Sequence, residues 1–146
     1  MKPRIRKPLR KGSLVYHGTS SEEEFTALNG PVWVSGAEAV ARSFVHWNRG
    51  GGIPRVLVYR VIEAPRLAVA ESKVEFMRFV GWVEEKIGDD ASDGSYEFAE
   101  QICDNWRLLG IDGWHLPKNY QDGSDTMLCD PDQFLEYVET IEVRST

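Results

Sequence analysis

The sequence predicts an α+β fold in a single domain. Short segments of strand composition alternate irregularly with clustered helical segments, a pattern that does not fit a doubly wound parallel sheet. The chain has 146 residues, which is long enough for one compact domain and too short for two ordinary ones. No repeat and no linker rich in proline, glycine or serine divides it, so we expect one domain over residues 13–146.

The composition is typical of a soluble globular protein, with 42% hydrophobic and 27% charged residues. No apolar run approaches the roughly 20 residues that span a bilayer, and the N-terminus lacks the apolar stretch of a signal peptide. Cys103 and Cys129 lie in otherwise apolar surroundings. These features predict a cytoplasmic protein with two reduced, buried thiols and no membrane partner.

The net charge of −6 is unevenly distributed along the chain. Residues 1–12 form a basic N-terminal arm without acids, whose six cations are Lys2, Arg4, Arg6, Lys7, Arg10 and Lys11. The remaining 11 cations and 23 acids leave the rest of the chain at −12. Because phosphate binding needs concentrated lysine and arginine, this body is unsuited to nucleic acid. We expect the arm to be a solvated or self-docking tail, and any nucleic-acid contact to be made through it.

β-Branched and aromatic residues mark the predicted strands. The clearest is residues 55–62, and a shorter strand over residues 14–16 runs into a His-Gly-Thr segment. The other predicted strands are residues 32–34, 113–116, 125–129 and 140–144.

Capping patterns bound the predicted helices, such as the Ser-x-x-Glu spacing of Ser35 and Glu38. The helix that these two residues open is expected to continue to about Trp47. The predicted helices are a short helix or turn near residues 19–24, then residues 35–47, 72–87 and 98–109, and a short helix that begins at Pro131.

The first candidate site segment is Tyr16-His17-Gly18-Thr19, at the end of the first predicted strand. Glycine lets the backbone approach a ligand closely, and a neighbouring imidazole can form a hydrogen bond with a sugar hydroxyl. Taken alone, the segment is explained by an ordinary turn without a function at least as well as by a ligand-binding site.

The second candidate is an aromatic pair, Trp33 and Phe44, which are 11 residues apart. One lies on a predicted strand and the other on the helix that follows it. In this arrangement the two rings can face each other across a slot for a flat heteroaromatic ring, although two core side chains would show the same pattern.

The third candidate is Asp125, which starts an apolar strand after the polar loop 118–124 and the earlier turn 110–114. An acid at the start of such a strand points into a cleft more readily than an acid in its middle. An exposed acid at a strand end is the alternative.

The order of these segments resembles the ADP-ribosyltransferase superfamily, in its histidine–tyrosine–glutamate branch of diphtheria-toxin-like enzymes and poly(ADP-ribose) polymerases. The resemblance places His17-Gly18-Thr19 at the His-Gly-Ser/Thr strand, Trp33 at the first tyrosine and Phe44 at the stacking tyrosine. Asp125 falls at the glutamate, six residues before Pro131. Trp33 lacks a phenol hydroxyl and Asp125 is one methylene shorter than glutamate. Small phage-encoded ADP-ribosyltransferases that inactivate CRISPR surveillance complexes are also similar.

The resemblance implies two small antiparallel sheets that form an NAD cleft with flanking helices. It implies mono-ADP-ribosyl transfer from NAD to a protein target, by a toxin or phage-encoded effector, with the target meeting the loop 119–124. His17 and Asp125 would be catalytic. The residues that it implies for NAD binding are Tyr16, His17, Gly18, Thr19, Trp33, Ser35 and Phe44.

Two other functions stay open. One is an acidic binding or inhibitor protein that keeps this fold without catalysis. The other is an enzyme similar to RNA 2′-phosphotransferases, whose phosphate would need arginines; Arg42 and Arg49 are the nearest. A metal is not predicted, because no group of His, Cys and acids has ligand spacing, and His46 and His115 are expected to be partly exposed.

Overall fold

The computed structural model describes residues 2–19, 30–45, 53–116 and 126–143. Several predictions therefore lie wholly or largely outside the described residues. They concern the helix or turn near residues 19–24, the loop 119–124, and the residues His46, Arg49 and Asp125. The described elements are β1 (Arg4–Arg6), β2 (Leu14–Thr19), β3 (Val32–Val34), α1 (Glu38–Phe44), β4 (Arg55–Val61), β5 (Leu67–Val69), α2 (Lys73–Ile87), α3 (Ser95–Asp104), α4 (Trp106–Leu109), β6 (Gly113–His115), β7 (Thr126–Leu128), α5 (Pro131–Phe134) and β8 (Leu135–Glu142).

These elements form an α+β fold with two sheets, as the sequence predicts at that level. One sheet has the strand order β1-β5-β6-β7-β3 and the other the order β2-β4-β8. The three-stranded sheet is antiparallel, but β5 and β6 of the larger sheet pair in parallel. The expectation of antiparallel pairing throughout is therefore wrong at this pair. The reason is that α2, α3 and α4 intervene between β5 and β6, and a helical crossover returns the chain in the same direction.

Two apolar clusters lie on opposite faces of the larger sheet. Both sheets contribute to the first, which joins Val15, Leu57 and Tyr59 to Val32 and Val34 of β3. The second cluster packs the helices against the sheet through Phe76, Phe79, Trp82, Phe98, Ile102 and Trp114, and the partly buried Trp33 packs against it. Alternation along β3 thus sends its valines towards one cluster and Trp33 towards the other.

Helix α2 follows the sequence prediction closely. The Ser72 hydroxyl accepts a hydrogen bond from the Glu75 amide at 3.1 Å, which caps the first turn. Gly88 ends the helix with a φ of 73°, a left-handed conformation that glycine adopts without a steric penalty. Local capping chemistry is therefore sufficient to position both ends of this helix.

The helix predicted over residues 98–109 is instead two helices, α3 and α4, separated at Asn105. The Asn105 side-chain amide donates to the Gln101 carbonyl at 2.8 Å, and its backbone leaves the helical region with a φ of −118°. Side-chain bonds of this kind compete with the helical ladder. As a result Trp106, expected on the buried side, has 41% of its surface exposed.

The basic arm contributes a strand that the sequence did not predict. β1 pairs antiparallel with β5, so that Ile5 lies opposite Ala68. The Arg4 guanidinium lies 2.8 Å from a Glu75 carboxylate oxygen and 3.5 Å from one of Glu71. Residues 4–6 are therefore docked on the domain. The last strand, β8, also begins earlier than the predicted residue 140.

Cys103 and Cys129 form a disulfide, with their Cα atoms 5.1 Å apart. The expectation of two reduced thiols is wrong, because the end of α3 packs beside the end of β7, a proximity that spacing along the chain does not reveal. Reduced compartments rarely maintain such bonds, so the cytoplasmic prediction loses the support that free thiols gave it. Among the described helices, none has the length and apolar character needed to cross a membrane.

Candidate functional site

The two sheets meet at Tyr16 of β2 and Ser35, which directly follows β3. The Tyr16 amide donates to the Ser35 carbonyl at 2.8 Å, and the Ser35 amide donates back to the Tyr16 carbonyl at 2.9 Å. Four residues predicted for the site, Tyr16, His17, Trp33 and Ser35, therefore lie at or beside one junction. β2 continues past it, with Gly18 opposite Val56 on β4.

His17 bridges the junction through its side chain. Its Nδ1 atom lies 2.7 Å from the Trp33 carbonyl oxygen. Because a carbonyl can only accept, Nδ1 carries the proton, and in the neutral ring Nε2 is then an acceptor. Burial lowers the pKa of His17 below its ordinary 6.5, and the bond to the Trp33 carbonyl opposes that shift without reversing it. At neutral pH the site thus presents an oriented, uncharged imidazole.

The low pKa of His17 predicts a loss of stability in mild acid. Below pH 6.5 the unfolded chain gains a proton at His17 before the folded chain does, so the free energy of unfolding falls as the pH drops through that range. The slope is at most about 1.4 kcal/mol per pH unit for one proton, and above pH 7 His17 contributes none. Urea unfolding from pH 5 to 8, compared with His17→Gln, measures this contribution.

Glutamine does not titrate, and its amide can still donate to the Trp33 carbonyl. The other two histidines remain in both proteins, so the difference between the curves isolates His17. Equal slopes for wild type and His17→Gln below pH 6.5 would contradict the low pKa.

Trp33 contributes its carbonyl to the junction, whereas its ring faces the helices. The ring stacks on Tyr96 with centroids 6.2 Å apart, and meets Trp114 edge-on at the same distance. Phe44 is the last residue of α1, and its side chain lies outside the described part. The sandwich of an aromatic ring between Trp33 and Phe44 therefore stays a prediction.

Ser35 does not cap α1 as the sequence predicts. The helix begins at Glu38 with Ala37 at its N-cap, and the Ser35 hydroxyl accepts instead from the Ala37 amide at 3.1 Å. The reason is that both backbone groups of Ser35 are bonded to Tyr16, which holds Ser35 in the strand conformation. Glu38 forms an ion pair with Arg42 at 2.8 Å rather than a capping box.

Thr126, which follows Asp125 in the sequence, lies close to this junction in the strand register. It pairs with Val34 of β3 on one side and with His115 of β6 on the other. The register therefore brings the start of β7 beside Val34, which directly precedes Ser35. Asp125 itself lies outside the described residues, and its predicted role is untested.

His115 and Thr126 form a contact that the sequence did not predict. His115 lies on a strand and is half-buried, and its Nδ1 atom is 2.9 Å from the Thr126 hydroxyl. The two residues stand on either side of residues 116–125 in the sequence, and their bond joins β6 to β7. Nothing in the local sequence identifies the pair, because only the β6–β7 register aligns residues 115 and 126.

Asp112, in the late Gly-x-Asp-Gly turn, is buried and structural. One of its carboxylate oxygens accepts from the Arg66 amide at 2.8 Å and lies 3.4 Å from the Arg66 Nε atom. Its carbonyl accepts from the Cys129 amide at 2.9 Å. The turn therefore connects the start of β5 to the end of β7.

Comparison with known proteins gives no relative of this chain: no family model, curated protein or solved structure matches it. Within the described ranges, no group of three or more His, Cys, Asp or Glu side chains is placed to hold a metal ion. The functional proposal therefore depends on this chain's own contacts.

Proposed function

We propose that this protein is an NAD-dependent mono-ADP-ribosyltransferase that modifies a protein target. The observation that carries the proposal is the bond between His17 and the Trp33 carbonyl at the junction of the two sheets. It supports the proposal because it orients a neutral imidazole whose Nε2 atom is an acceptor, the role that a bond from a ribose hydroxyl requires. An α+β fold with two sheets is compatible with the resemblance in motif order.

The reaction breaks the bond between nicotinamide and the ribose C1′ atom through an oxocarbenium-like transition state. Nicotinamide leaves with the bonding electron pair, and the acceptor side chain attacks C1′ and loses its proton. In this proposal His17 positions the ribose, and Asp125 stabilises the positive charge that develops on it. Electrostatic stabilisation of this kind is usually the largest contribution to the rate. The narrower form of the proposal is a toxin, or a phage-encoded effector directed at a CRISPR complex.

The test measures NAD turnover, label transfer from NAD to lysate proteins, and the melting temperature with NAD. Wild type is expected to turn over NAD and to melt at a higher temperature in its presence. His17→Ala and Asp125→Asn are expected to lower turnover by about a hundredfold or more. Asp130→Asn is the matched control, because Asp130 is an exposed acid whose side chain makes no capping bond. The proposal fails if wild type neither consumes NAD nor is stabilised by it.

A second candidate is a non-catalytic acidic binding protein of the same fold. The observation that favours it is the packing of the Trp33 ring against Tyr96 and Trp114, which uses the ring within the protein. A folded wild type that is indifferent to NAD but binds a protein partner would favour this candidate.

A further inference from the structure

A groove opens between α2 and the segment that leads into α3. Its floor consists of buried aromatic rings of Phe76, Phe98 and Trp114, and its volume is about 590 Å³. This volume lies within the range of about 300–1,000 Å³ that is usual for ligand sites. Met77 and Val80 form the wall on α2, and Met77 has 58% of its surface exposed. An apolar surface is thus accessible beside a helix.

The floor of the groove is preformed. The rings of Phe98 and Trp114 are stacked with centroids 5.6 Å apart, and Phe76 meets each of them edge-on. Met77 adds a flexible, polarisable side chain at the edge, which suits a surface that adapts to different apolar groups. An entering apolar side chain would therefore find aromatic contacts without a rearrangement of the core.

The rim of the groove is held by hydrogen bonds to both helices. The Ala91 amide donates to a Glu84 carboxylate oxygen at 2.8 Å, which ties the rim to α2. The Ser92 amide donates to the Gln101 side chain at 2.7 Å, and Gln101 donates back to the Asp90 carbonyl at 3.0 Å. Such an ordered rim lowers the entropic cost of binding.

The charge of the groove is negative. The charged residues that line it are Glu84 and Asp93, and the preceding turn adds the exposed Asp89 and Asp90. Acids at this density repel the phosphates of nucleic acids and of anionic membranes. They attract lysine and arginine side chains, and do so more strongly at low salt.

We propose that this α2–α3 groove is a docking site for a basic segment of a partner protein, which inserts an apolar side chain over Phe98 and Trp114. The apolar floor and the acidic rim together specify an amphipathic, cationic segment, as in other helix-in-groove interactions. The proposal does not depend on NAD chemistry. Trp33 nevertheless contacts Trp114 with its ring and His17 with its carbonyl, so a docked partner would lie near the sheet junction.

In the experiment, the isotope-labelled protein is titrated with a short capped peptide that carries lysine and leucine in an amphipathic helical pattern. Changes in the amide NMR shifts of the protein report where the peptide binds. Two control peptides replace lysine by glutamate or leucine by serine. The shifts are expected to concentrate at residues 91–95 and at the Trp114 indole. Binding is expected to weaken as salt rises, and both control peptides are expected to bind at least about tenfold more weakly.

Protein variants with matched controls locate the binding surface. Met77→Ala is expected to raise the Kd about fivefold to tenfold, and Asp93→Asn to raise it about threefold. Val74→Ala is the control on the same helix, because Val74 is 62% exposed but does not line the groove. Asp104→Asn is the control for an exposed acid elsewhere. Neither control is expected to change the Kd.

Three results would overturn the proposal. One is equal binding of the lysine and glutamate peptides, and another is an equal effect of Met77→Ala and Val74→Ala. The third is a dimer of the protein alone that Met77→Ala dissociates, because it would assign the groove to a second copy of the chain. Sedimentation velocity at the NMR concentration checks this last case.

Discussion

Replacing Gly113 by alanine is expected to destabilise the protein by at least about 3 kcal/mol, a large fraction of the roughly 5–15 kcal/mol that stabilises a typical domain. Gly113 begins β6 in the middle of the larger sheet, opposite Leu67 on one side and Leu128 on the other. A Cβ atom at this position would overlap the backbone carbonyl of Met127. Because a backbone group in a paired strand cannot rotate away as a side chain can, the two strands would have to separate.

The measurement for Gly113 is the free energy of unfolding from urea denaturation. Gly81→Ala in α2 is the matched control, because the space around its added Cβ is open. Alanine favours helix over glycine, so this control is expected to gain about 1 kcal/mol. If Gly113→Ala unfolds at the wild-type midpoint, the close approach of β6 to β7 is wrong.

Breaking the Cys103–Cys129 disulfide is expected to cost roughly 3–4 kcal/mol of stability. The bond closes a loop with a sequence separation of 26, and the estimate follows from the entropy that this closure removes from the unfolded chain. The reduced chain should therefore unfold at a clearly lower urea concentration. It also loses the link between the end of α3 and the strand β7 that leads away from Asp125.

The test compares wild type with and without dithiothreitol, alongside Cys103→Ser/Cys129→Ser. Wild type is expected to lose stability in the reductant, and the double variant to be as unstable as reduced wild type and insensitive to the reductant. Intact-mass analysis under non-reducing conditions measures the oxidation state directly. Free thiols in fully folded wild type that was purified without reductant would contradict the bond.

Trp33 connects the sheet junction to the α2–α3 groove, because its carbonyl bonds to His17 and its ring contacts Trp114, which lines the groove. A partner docked over Trp114 would change the packing of the Trp33 ring. Through the backbone of Trp33, it would also change the bond between the Trp33 carbonyl and His17. If both proposals hold, bound peptide is expected to change the rate of NAD turnover. If only the groove proposal holds, the protein binds the basic peptide without affecting NAD.

Local chemistry made part of the fold predictable. The bounds of α2 follow from Ser72 and Gly88, and β3 follows from a short β-branched and aromatic segment. These signals involve residues within a few positions of one another. The split at Asn105 also has a local cause, but the apolar spacing that continues to Leu109 conceals it.

The sequence by itself determined an α+β chain whose helices are apolar on one side, an acidic body, and the order of the candidate site segments along the chain. The tertiary structure alone decided that β5 and β6 run in parallel, that Cys103 bonds to Cys129, and that Thr126 aligns with Val34 and His115. It also brought Tyr16 and His17 against Ser35 and the Trp33 carbonyl. These contacts join distant parts of the chain, and they depend on which registers bury the most apolar surface, a property of the whole fold that no single segment encodes.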